Sequence, residues 1–440
     1  MSTAPNPYKI SFVTGAAIVV ANMVGTGVFT SLGFQVLGIQ SNFALLMLWV
    51  VGGGIALCGA VSYAELASAM PRSGGEYHYL GRIYHPALGF LSGWVSATVG
   101  FAAPTALAAL ALGEYARRVW PGLNAPLLSA AVVLALALVH GFSTRAGSRF
   151  QVVVTGLKVA VLVGFIAVGL LAGEGQPLQL VPAAADWQVL LTPAFAVSLV
   201  FVSYAYSGWN AAVYLTGEIA DPQRNLSRIL LSGTAVVLVL YVGLNYVFLR
   251  STPQAALQGQ LEVGYIAANS LFGPAVGRLT GAVIAALLVS TISAMVFAGP
   301  RIVQSMGEDL PALRWLAGRS RAGIPVRALG LQTVLTLAFV LKPSFKEVLV
   351  YAGFVLNLFT FLTVLGVFVL RWQQPHLPRP YRAWGYPVTP LLFLLLSGWT
   401  LLFILRDKPT ESLYGLGTLM VGLVVYGLVS RKKATEKPAF

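Results

Sequence analysis

Cysteine is almost absent from this chain of 440 residues, because Cys58 is its only one. Cys58 lies within an apolar run, away from any solvent-rich segment. One thiol cannot close a disulfide within the chain, and a thiol inside an apolar run is a poor bridge to another protein. We therefore expect no intrachain disulfide and no disulfide-linked partner.

Histidine is scarce as well. The four histidines are scattered along the chain, and none of them has a partner at the spacing of an H-E-x-x-H motif or another metal-ligand pattern. The sequence therefore predicts no metal site and no cofactor.

Charged residues are the third class in short supply. They make up 10% of the chain, whereas 57% of its residues are apolar, and the mean hydropathy is +0.79. A soluble domain of this length could not bury so much apolar surface, whereas a lipid bilayer solvates it. The composition predicts an integral membrane protein that crosses the bilayer several times.

Acidic residues are fewer than basic ones, 14 against 28, which gives a net charge of +14. Once spans are placed, most of the Lys and Arg fall on one side, for example Arg72, Arg149 and Arg301. Basic residues concentrate in cytoplasmic loops, so we expect both termini in the cytoplasm and the chain in the plasma or inner membrane. The basic excess then reports topology, and we expect no nucleic-acid partner.

Twelve apolar runs are each long enough to cross about 30 Å of hydrocarbon as an α-helix. They fall near 11–38, 43–70, 86–116, 124–141, 149–172, 189–217, 228–249, 272–304, 324–342, 346–371, 386–405 and 412–430. The sequence therefore predicts an all-α fold with 12 transmembrane helices. The first run is interpreted as a retained span, because no A-x-A-like cleavage site follows it.

The runs group as five, five and two. An odd number of spans per repeat requires the second copy to be inverted in the membrane, the arrangement known from transporters with a site at the bilayer midplane. We expect a cytoplasmic N-terminus (1–10), inverted repeat 1 (11–172), inverted repeat 2 (189–371), two extra helices (386–430) and a cytoplasmic tail (431–440).

Glycines and small hydroxyls interrupt the first run of each five. The interruptions read Val24-Gly25-Thr26-Gly27-Val28-Phe29 and Tyr204-Ala205-Tyr206-Ser207-Gly208-Trp209-Asn210. Unwound backbone at membrane depth persists only where protein encloses a cavity, and a pair of such breaks points to a transporter's central site. The alternative is a small-residue packing face, but that needs a spacing of four residues rather than the two of Gly-Thr-Gly.

A broken helix exposes N–H groups on one side and C=O groups on the other. The amides near Thr26 and Gly27 suit a carboxylate, and the carbonyls near Met23, Tyr204 and Ser207 suit an ammonium. Together the breaks favour a receptor for an α-amino acid. The candidate substrate-binding residues are Met23, Gly25, Thr26, Gly27, Tyr204, Ala205, Ser207 and Asn210.

Lys158 lies about 12 Å along the fifth span, counted at 1.5 Å per residue. A charge at that depth costs at least about 2.5–3.5 kcal/mol on insertion scales. One interpretation is that the side chain extends to the membrane surface. The other is that its ammonium stands in for a sodium ion, either as a static tether or as a proton carrier, with Ser290, Thr291 and Ser293 as candidate partners.

Several motifs resemble the amino acid–polyamine–organocation superfamily, and within it the L-type amino acid transporter branch. They are Tyr63-Ala64-Glu65-Leu66, Met70-Pro71-Arg72-Ser73-Gly74-Gly75-Glu76-Tyr77, the two interruptions, Asp221-Pro222-Gln223-Arg224-Asn225-Leu226, and Gly147-Ser148-Arg149-Phe150-Gln151 with Thr155 and Lys158. The likeness runs in order over nearly the whole chain.

The resemblance implies a LeuT-type fold of two inverted five-helix repeats plus two helices, with alternating access by rocking of a helix bundle. By position, Gly25, Thr26 and Gly27 would hold the substrate carboxylate, Tyr204 would be the aromatic gate, and Lys158 would replace sodium. Ser207 departs from the glycine that is frequent in the branch. The external cysteine with which eukaryotic members join a heavy chain is absent, so we expect a monomer that functions alone.

We interpret the chain as a sodium-independent transporter of L-amino acids, neutral ones being favoured because no acid lies in the interruptions. It would work as an exchanger or with proton coupling. A proton-coupled uptake permease for cationic amino acids or polyamines remains the first alternative. A membrane enzyme is remote, because no catalytic cluster is present at a membrane edge, and a channel or a transport-like receptor is a further alternative.

Overall fold

A computed structural model describes residues 10–72, 74–142, 147–172, 175–320, 323–341 and 344–435. In these residues the secondary structure is helical, apart from one isolated bridge between Ile10 and Ile219. The outer parts of the predicted cytoplasmic termini, 1–9 and 436–440, lie outside the described residues. The prediction of an all-helical protein is confirmed.

The α-helices are numbered in chain order. They are α1 (Phe12–Met23), α2 (Gly27–Gln35), α3 (Asn42–Ala69), α4 (Gly75–Ile83), α5 (Pro86–Val95), α6 (Ala102–Val119), α7 (Ala125–Phe142), α8 (Gly147–Leu171), α9 (Ala184–Val189), α10 (Pro193–Tyr206), α11 (Pro222–Ser251), α12 (Gln254–Leu257), α13 (Val263–Asp309), α14 (Val326–Val340), α15 (Phe345–Gln373), α16 (Val388–Asp407) and α17 (Pro409–Thr435). A π-helical turn (Ser96–Gly100) joins α5 to α6, and 3-10 helices follow α10 (Ala211–Glu218) and α13 (Pro311–Ala317).

Nine helical segments among the described residues are long and apolar enough to cross a membrane. They are Phe12–Gln35, Asn42–Ala69, Pro86–Val119, Val154–Leu171, Pro222–Ser251, Val263–Asp309, Phe345–Gln373, Val388–Asp407 and Pro409–Ser430. Shorter apolar helices cover Ala125–Gly141 and Val326–Val340. The chain is therefore a multi-pass membrane protein.

Side-chain caps define where several of these helices begin. Ser11, Ser41, Thr192 and Ser344 each precede a helix and accept a hydrogen bond from a backbone N–H of its first turn. Such caps satisfy amides that have no partner within the helix. Pro193 follows Thr192 at the first helical position, where its missing N–H has no consequence.

Both predicted interruptions are present. α1 ends at Met23 and α2 begins at Gly27, and α10 ends at Tyr206 before the 3-10 helix Ala211–Glu218. Gly208 has a φ of 98°, which a residue with a side chain rarely adopts. Each interruption therefore breaks the α-helix within its predicted span.

The two interrupted spans pack against each other in the interior. α2 packs on α10, and α1 packs on α11 and α8. A Cβ atom at Gly27 would overlap the backbone of Ala205, so the absence of a side chain at Gly27 permits the contact. The interruptions are thus neighbours in space, although 180 positions separate them in the sequence.

A cavity of about 1420 Å³ reaches the interruptions from one side. Its lining begins at Asn22, Tyr204 and Ser207 and extends to exposed Ser11 and Arg319. We call the surface with Ser11 and Arg319 the N-terminal face, since it lies where the described chain begins. The cavity opens to solvent at this face.

The surface at the other end of the interrupted spans, here called the opposite face, is closed by packing. The Phe34 ring stacks on Phe201 and Phe345 with centroids 5.6 and 6.0 Å apart. The Gly259 amide donates to the Gly33 carbonyl at 2.8 Å. The described residues therefore enclose a site that is accessible from one face.

Candidate functional site

The first interruption leaves backbone groups behind the inner end of the cavity, whose lining includes the neighbouring Asn22 but none of residues 23–28. Gly27 and Val28 occupy the first turn of α2, where N–H groups have no partner within the helix. Gly25 differs, because its amide donates to the Met23 carbonyl at 2.8 Å. The N–H groups suited to a carboxylate are those at the start of α2.

Thr26 and Tyr204 come together across the two interruptions. Thr26 is 3% exposed, and its side chain lies near the Tyr204 hydroxyl. Tyr204 also lines the cavity. The structure thus brings a predicted carboxylate ligand next to the predicted gate residue.

The second interruption exposes the C-terminal end of α10. The Ser207 amide donates to the Tyr204 carbonyl at 3.0 Å, and Ser207 then leaves the helix with a ψ of 148°. Ser207 and Asn210 both line the cavity. The Asn210 amide, however, donates to Glu76 Oε1 at 3.1 Å, so this predicted ligand is engaged outside the interruptions.

Tyr241 on α11 joins the two interruptions and is not among the residues predicted from the sequence. Its hydroxyl lies 2.6 Å from the Met23 carbonyl and 3.1 Å from the Ala205 carbonyl, and can donate to either. Both carbonyls belong to the predicted substrate-binding set. The sequence does place a tyrosine deep in the apolar span 228–249. Because a buried hydroxyl needs a hydrogen-bond partner, that position could have indicated a contact of this kind.

Lys158 on α8 is 2% exposed and turns inward. Its ammonium donates to Thr291 Oγ1 at 2.8 Å and to the Val24 carbonyl at 3.4 Å. The interpretation that Lys158 extends to the membrane surface is therefore wrong for this structure. The ammonium links α8 to α13 and to the first interruption.

The other two hydroxyls proposed for Lys158 lie elsewhere. Ser293 Oγ is 2.8 Å from His140 Nε2 on α7. Ser290 Oγ is buried and has no hydrogen-bond partner among the residues that the structure describes. Of the predicted partners, only Thr291 contacts the lysine.

Two buried glutamates lie near the C-terminal end of α3, Glu65 within it and Glu76 in α4. Glu65 pairs with Arg371 at 2.7 Å and with Arg379 at 3.4 Å, and it accepts the Ala383 amide at 2.6 Å. These contacts tie α3 to α15 and to the following loop. Glu65 therefore has a structural role, as an acid at a helix end with basic partners would suggest.

Glu76 on α4 has no basic partner within ion-pair distance in the described part of the chain. It accepts hydrogen bonds from Tyr63 and Asn210, and it is 5% exposed. Burial raises its pKa from 4.5 to about 7, although the two hydrogen bonds act in the opposite direction. A carboxyl that lines the cavity can therefore change charge near neutral pH.

The side-chain part of the cavity is mixed in character. Near the interruptions it is lined by Asn22, Ser96, Phe101, Ser203, Leu356 and Asn357. Apolar walls with a few polar groups are typical of sites for small molecules.

Comparison with known proteins identifies a family profile and relatives of this chain. The sequence profile described as amino acid permease matches residues 10–426. The chain is 30% identical to the human large neutral amino acids transporter small subunit 2, over 96% of this chain and 80% of that protein.

Other relatives are similar over the same length. The chain is 28% identical to the mouse Asc-type amino acid transporter 1, over 96% of this chain and 81% of the relative. It is 27% identical to the mouse b(0,+)-type amino acid transporter 1, over 96% of this chain and 87% of the relative.

Proposed function

This chain belongs to the amino acid permease family, and from that premise we propose that it exchanges neutral L-amino acids across the membrane without sodium. The family and its relatives confirm the resemblance inferred from the motifs, and they are transporters rather than enzymes. The observation that carries the proposal is the pair of interrupted helices, bridged by Tyr241, at the inner end of a cavity open to one face.

The carboxylate of the substrate would bind at the start of α2. Unpaired amides and the positive end of the helix dipole meet there, and both favour an anion. Thr26 supplies a hydroxyl beside these amides. We assign Gly25, Thr26 and Gly27 to this end of the substrate.

The ammonium of the substrate would bind to carbonyls near the end of α10 and of α1. A carbonyl oxygen has two lone pairs, and the Tyr204 carbonyl accepts one hydrogen bond now, from the Ser207 amide, so it can accept a second. The Met23 carbonyl already accepts from the Gly25 amide, and it would have a lone pair for the substrate when the Tyr241 hydroxyl donates to the Ala205 carbonyl instead. Ser207 adds a hydroxyl at the same end. The negative ends of two helices favour this cation.

Sodium independence is supported by Lys158. Its ammonium already donates to the Val24 carbonyl and to Thr291 Oγ1, oxygen ligands of the kind that a sodium ion would need. A fixed positive charge at this position would repel a second cation. We propose that Lys158 holds the first interruption against α13 in place of an ion.

Exchange requires the site to face each side in turn. The cavity reaches the interruptions from the N-terminal face, while aromatic packing closes the opposite face. This arrangement supports an inward-facing state of an alternating-access transporter. Tyr204, which lies between the site and the cavity, is the proposed gate.

The finer architecture is also proposed. Each of the 12 predicted spans has a helical counterpart if the nine long segments are joined by α7, by α14 and by the interrupted α10. We assign 11–172 and 189–371 to inverted repeats, 386–430 to two extra helices, and the terminal segments 1–10 and 431–440 to the cytoplasm. The interruption in the first span of each repeat supports this assignment.

We propose that the chain works as a monomer without a disulfide-linked heavy chain. The relatives with "small subunit" in their names are by those names parts of larger assemblies. This chain has only Cys58, which is partly buried in the middle of α3. No thiol is therefore placed at an aqueous surface to join a second chain.

Counterflow in liposomes tests the proposal. The purified protein is reconstituted with internal leucine, alanine, arginine or no amino acid. Uptake of labelled leucine, alanine, arginine and putrescine is measured in sodium-free buffer, with protein-free liposomes as the control. We expect uptake that needs internal neutral amino acid and is unchanged by added sodium.

Other outcomes contradict parts of the proposal. Uptake that ignores internal amino acid and follows an imposed pH gradient would replace exchange by proton-driven uptake. Preferred uptake of labelled arginine or putrescine would replace the neutral substrate. Absence of transport for every amino acid tested would remove the assignment altogether.

A further inference from the structure

Glu76 lies where three elements of the structure meet. It belongs to α4, the short helix after α3, and contacts both Tyr63 of α3 and Asn210 of the interrupted span. The close approach is possible because Gly75 precedes it, since a Cβ atom there would lie 2.5 Å from the Tyr214 ring. α4 is thus fitted against the 3-10 helix that follows the interruption.

The hydrogen bonds at Glu76 converge on one oxygen. Oε1 accepts the Tyr63 hydroxyl at 2.5 Å and the Asn210 amide at 3.1 Å. Donors aimed at a carboxylate oxygen bind it more strongly than they bind a neutral carboxyl. The contact between α4 and the interrupted span therefore depends on the charge of Glu76.

The groups around Glu76 leave its charge uncompensated. The titratable side chains that face it are phenols, namely Tyr63 from α3, Tyr79 from α4 and Tyr214 from the 3-10 helix. The basic residues Arg72 and Arg82 act instead on His78, and Arg371 at the end of α15 pairs with Glu65. Burial without a cation is the reason that the pKa of Glu76 rises to about 7.

Protons can reach this carboxyl from solution, because Glu76 lines the cavity that opens at the N-terminal face. Asn210, its partner, lines the same cavity and follows Ser207 by three positions. A change at Glu76 is therefore one hydrogen bond away from the interrupted span.

We propose that Glu76 is a proton-binding site of this transporter, and that its charge state sets how firmly the interrupted span is held to α4 through Asn210. The proposal rests on the transport function proposed above and adds its regulation by pH at the N-terminal face. One proton from the cavity joins a carboxylate oxygen, the net charge rises by one, and no other bond is made or broken except hydrogen bonds.

Deprotonated Glu76 holds Asn210 through a charge-assisted hydrogen bond and thereby stabilises the state in which the cavity is open to the N-terminal face. Protonated Glu76 binds Asn210 more weakly and frees the segment after α10 to move. Exchange then depends on pH even when the pH is equal on both sides of the membrane.

The first experiment measures proton binding without transport. The melting temperature of the full chain in detergent is followed from pH 5.5 to 8.5 for wild type, Glu76→Gln and the control Tyr79→Phe, which removes a nearby hydroxyl not bonded to Glu76. Because the pKa of Glu76 is higher in the folded protein than in the unfolded chain, this group stabilises the fold at low pH and loses that contribution as pH rises through about 7.

We therefore expect the melting temperature of Glu76→Gln, taken relative to that of wild type, to increase by a few degrees as pH rises. The difference in melting temperature between Tyr79→Phe and wild type should stay constant with pH. If the wild-type and Glu76→Gln curves are parallel over the whole range, Glu76 does not titrate there and the proposal fails.

The second experiment measures exchange of labelled alanine and leucine at equal internal and external pH. A group with a pKa of about 7 is about 90% protonated at pH 6 and about 10% at pH 8. We expect the wild-type rate to change by up to about tenfold over this range, and that of Glu76→Gln by less than about twofold.

A second variant keeps the proposal testable if Glu76→Gln does not fold. Tyr63→Phe retains the carboxyl but removes a donor to it, so the midpoint of the pH profile should move up by about one pH unit. Unchanged midpoints in Tyr63→Phe, or identical pH profiles in wild type and Glu76→Gln, would overturn the proposal. A thermal difference without any amino acid exchange would instead leave the proton site and remove the transport function.

Discussion

At the scale of single residues, the Tyr241 hydroxyl is the group that contacts both interrupted spans. It is completely buried and can donate to the Met23 or the Ala205 carbonyl, one from each interrupted span. A hydroxyl has only one proton, so the two carbonyls share it. The separation of the two interruptions therefore depends on one side chain from a third helix.

Replacement of Tyr241 by Phe tests this dependence. The change removes the one hydroxyl proton that the two carbonyls share. The Met23 carbonyl keeps the Gly25 amide as a donor, so the Ala205 carbonyl is the one deprived, at a cost of about 1–3 kcal/mol for a buried group left unsatisfied. We expect amino acid exchange to slow by about tenfold or more, with the protein still folded. The control is Tyr206→Phe, which lies in the second interruption but whose hydroxyl donates to the Trp49 carbonyl of α3 at 3.0 Å and does not reach the first interruption. Equal rates for the two variants would contradict the bridging role.

Lys158 gives a second prediction at this scale. Its hydrogen bond to Thr291 involves a charged donor, a class worth about 1.5–3 kcal/mol. We expect Lys158→Met to lose most exchange activity, and Thr291→Val to slow it by about tenfold. Ser290→Ala should stay within about twofold of wild type, because the Ser290 hydroxyl has no partner in the described residues. The measurement is the initial rate of amino acid exchange in liposomes. If Ser290→Ala slows exchange as much as Thr291→Val does, Thr291 is not the specific partner of Lys158.

These residues also show what sequence could predict. Lys158 and the glycines were identifiable, because a charge or a helix breaker inside an apolar span requires an explanation. Tyr241 and Glu76 were not, because a tyrosine in a span resembles core packing and a glutamate in a loop resembles a solvated charge. Their importance comes from partners far away in the chain, such as Ala205 and Asn210.

At the scale of elements, the interruptions were predictable, but their packing was not. Gly25 and Gly27 both mark the first interruption, yet only Gly27 lies against Ala205 of α10. The short helix α4 was absent from the predicted spans, since it is too short and too polar to give a membrane signal. Tertiary contacts, rather than local propensity, place both.

We therefore expect substitutions at the two glycines to affect different properties, namely stability at Gly27 and transport at Gly25. A Cβ atom in Gly27→Ala would overlap the Ala205 backbone, and such overpacking costs about 1–3 kcal/mol or more. We expect loss of thermal stability and of yield. A Cβ atom in Gly25→Ala would lie 3.5 Å from Thr291 Cγ2, an ordinary contact, so this variant should fold and instead raise the KM for amino acid exchange. Thermal unfolding and transport kinetics, measured together, separate the two; a stable Gly27→Ala would show that α2 does not need this contact.

At the scale of the whole molecule, the structure is asymmetric across the membrane. The cavity opens at the face of Ser11, while Phe34, Phe201 and Phe345 close the other face. Sequence could predict the existence of a central site, since the interruptions mark it. It could not predict which face is open, because closure depends on aromatic contacts between distant spans.

Charge predicts the orientation of the open face. Basic residues such as Arg301 and Arg319 lie at the N-terminal face, and the side richer in Lys and Arg remains in the cytoplasm.

The single cysteine makes this orientation testable, because Cys58→Ser removes every thiol. In that background, Ser305→Cys places a thiol at the cavity mouth, and Gln258→Cys places one at the opposite face beside Gly259. A membrane-impermeant maleimide on intact cells should label Gln258→Cys at once, but label Ser305→Cys only after permeabilisation. The reverse pattern would place the open cavity outside the cell and would require the pH control at Glu76 to act there.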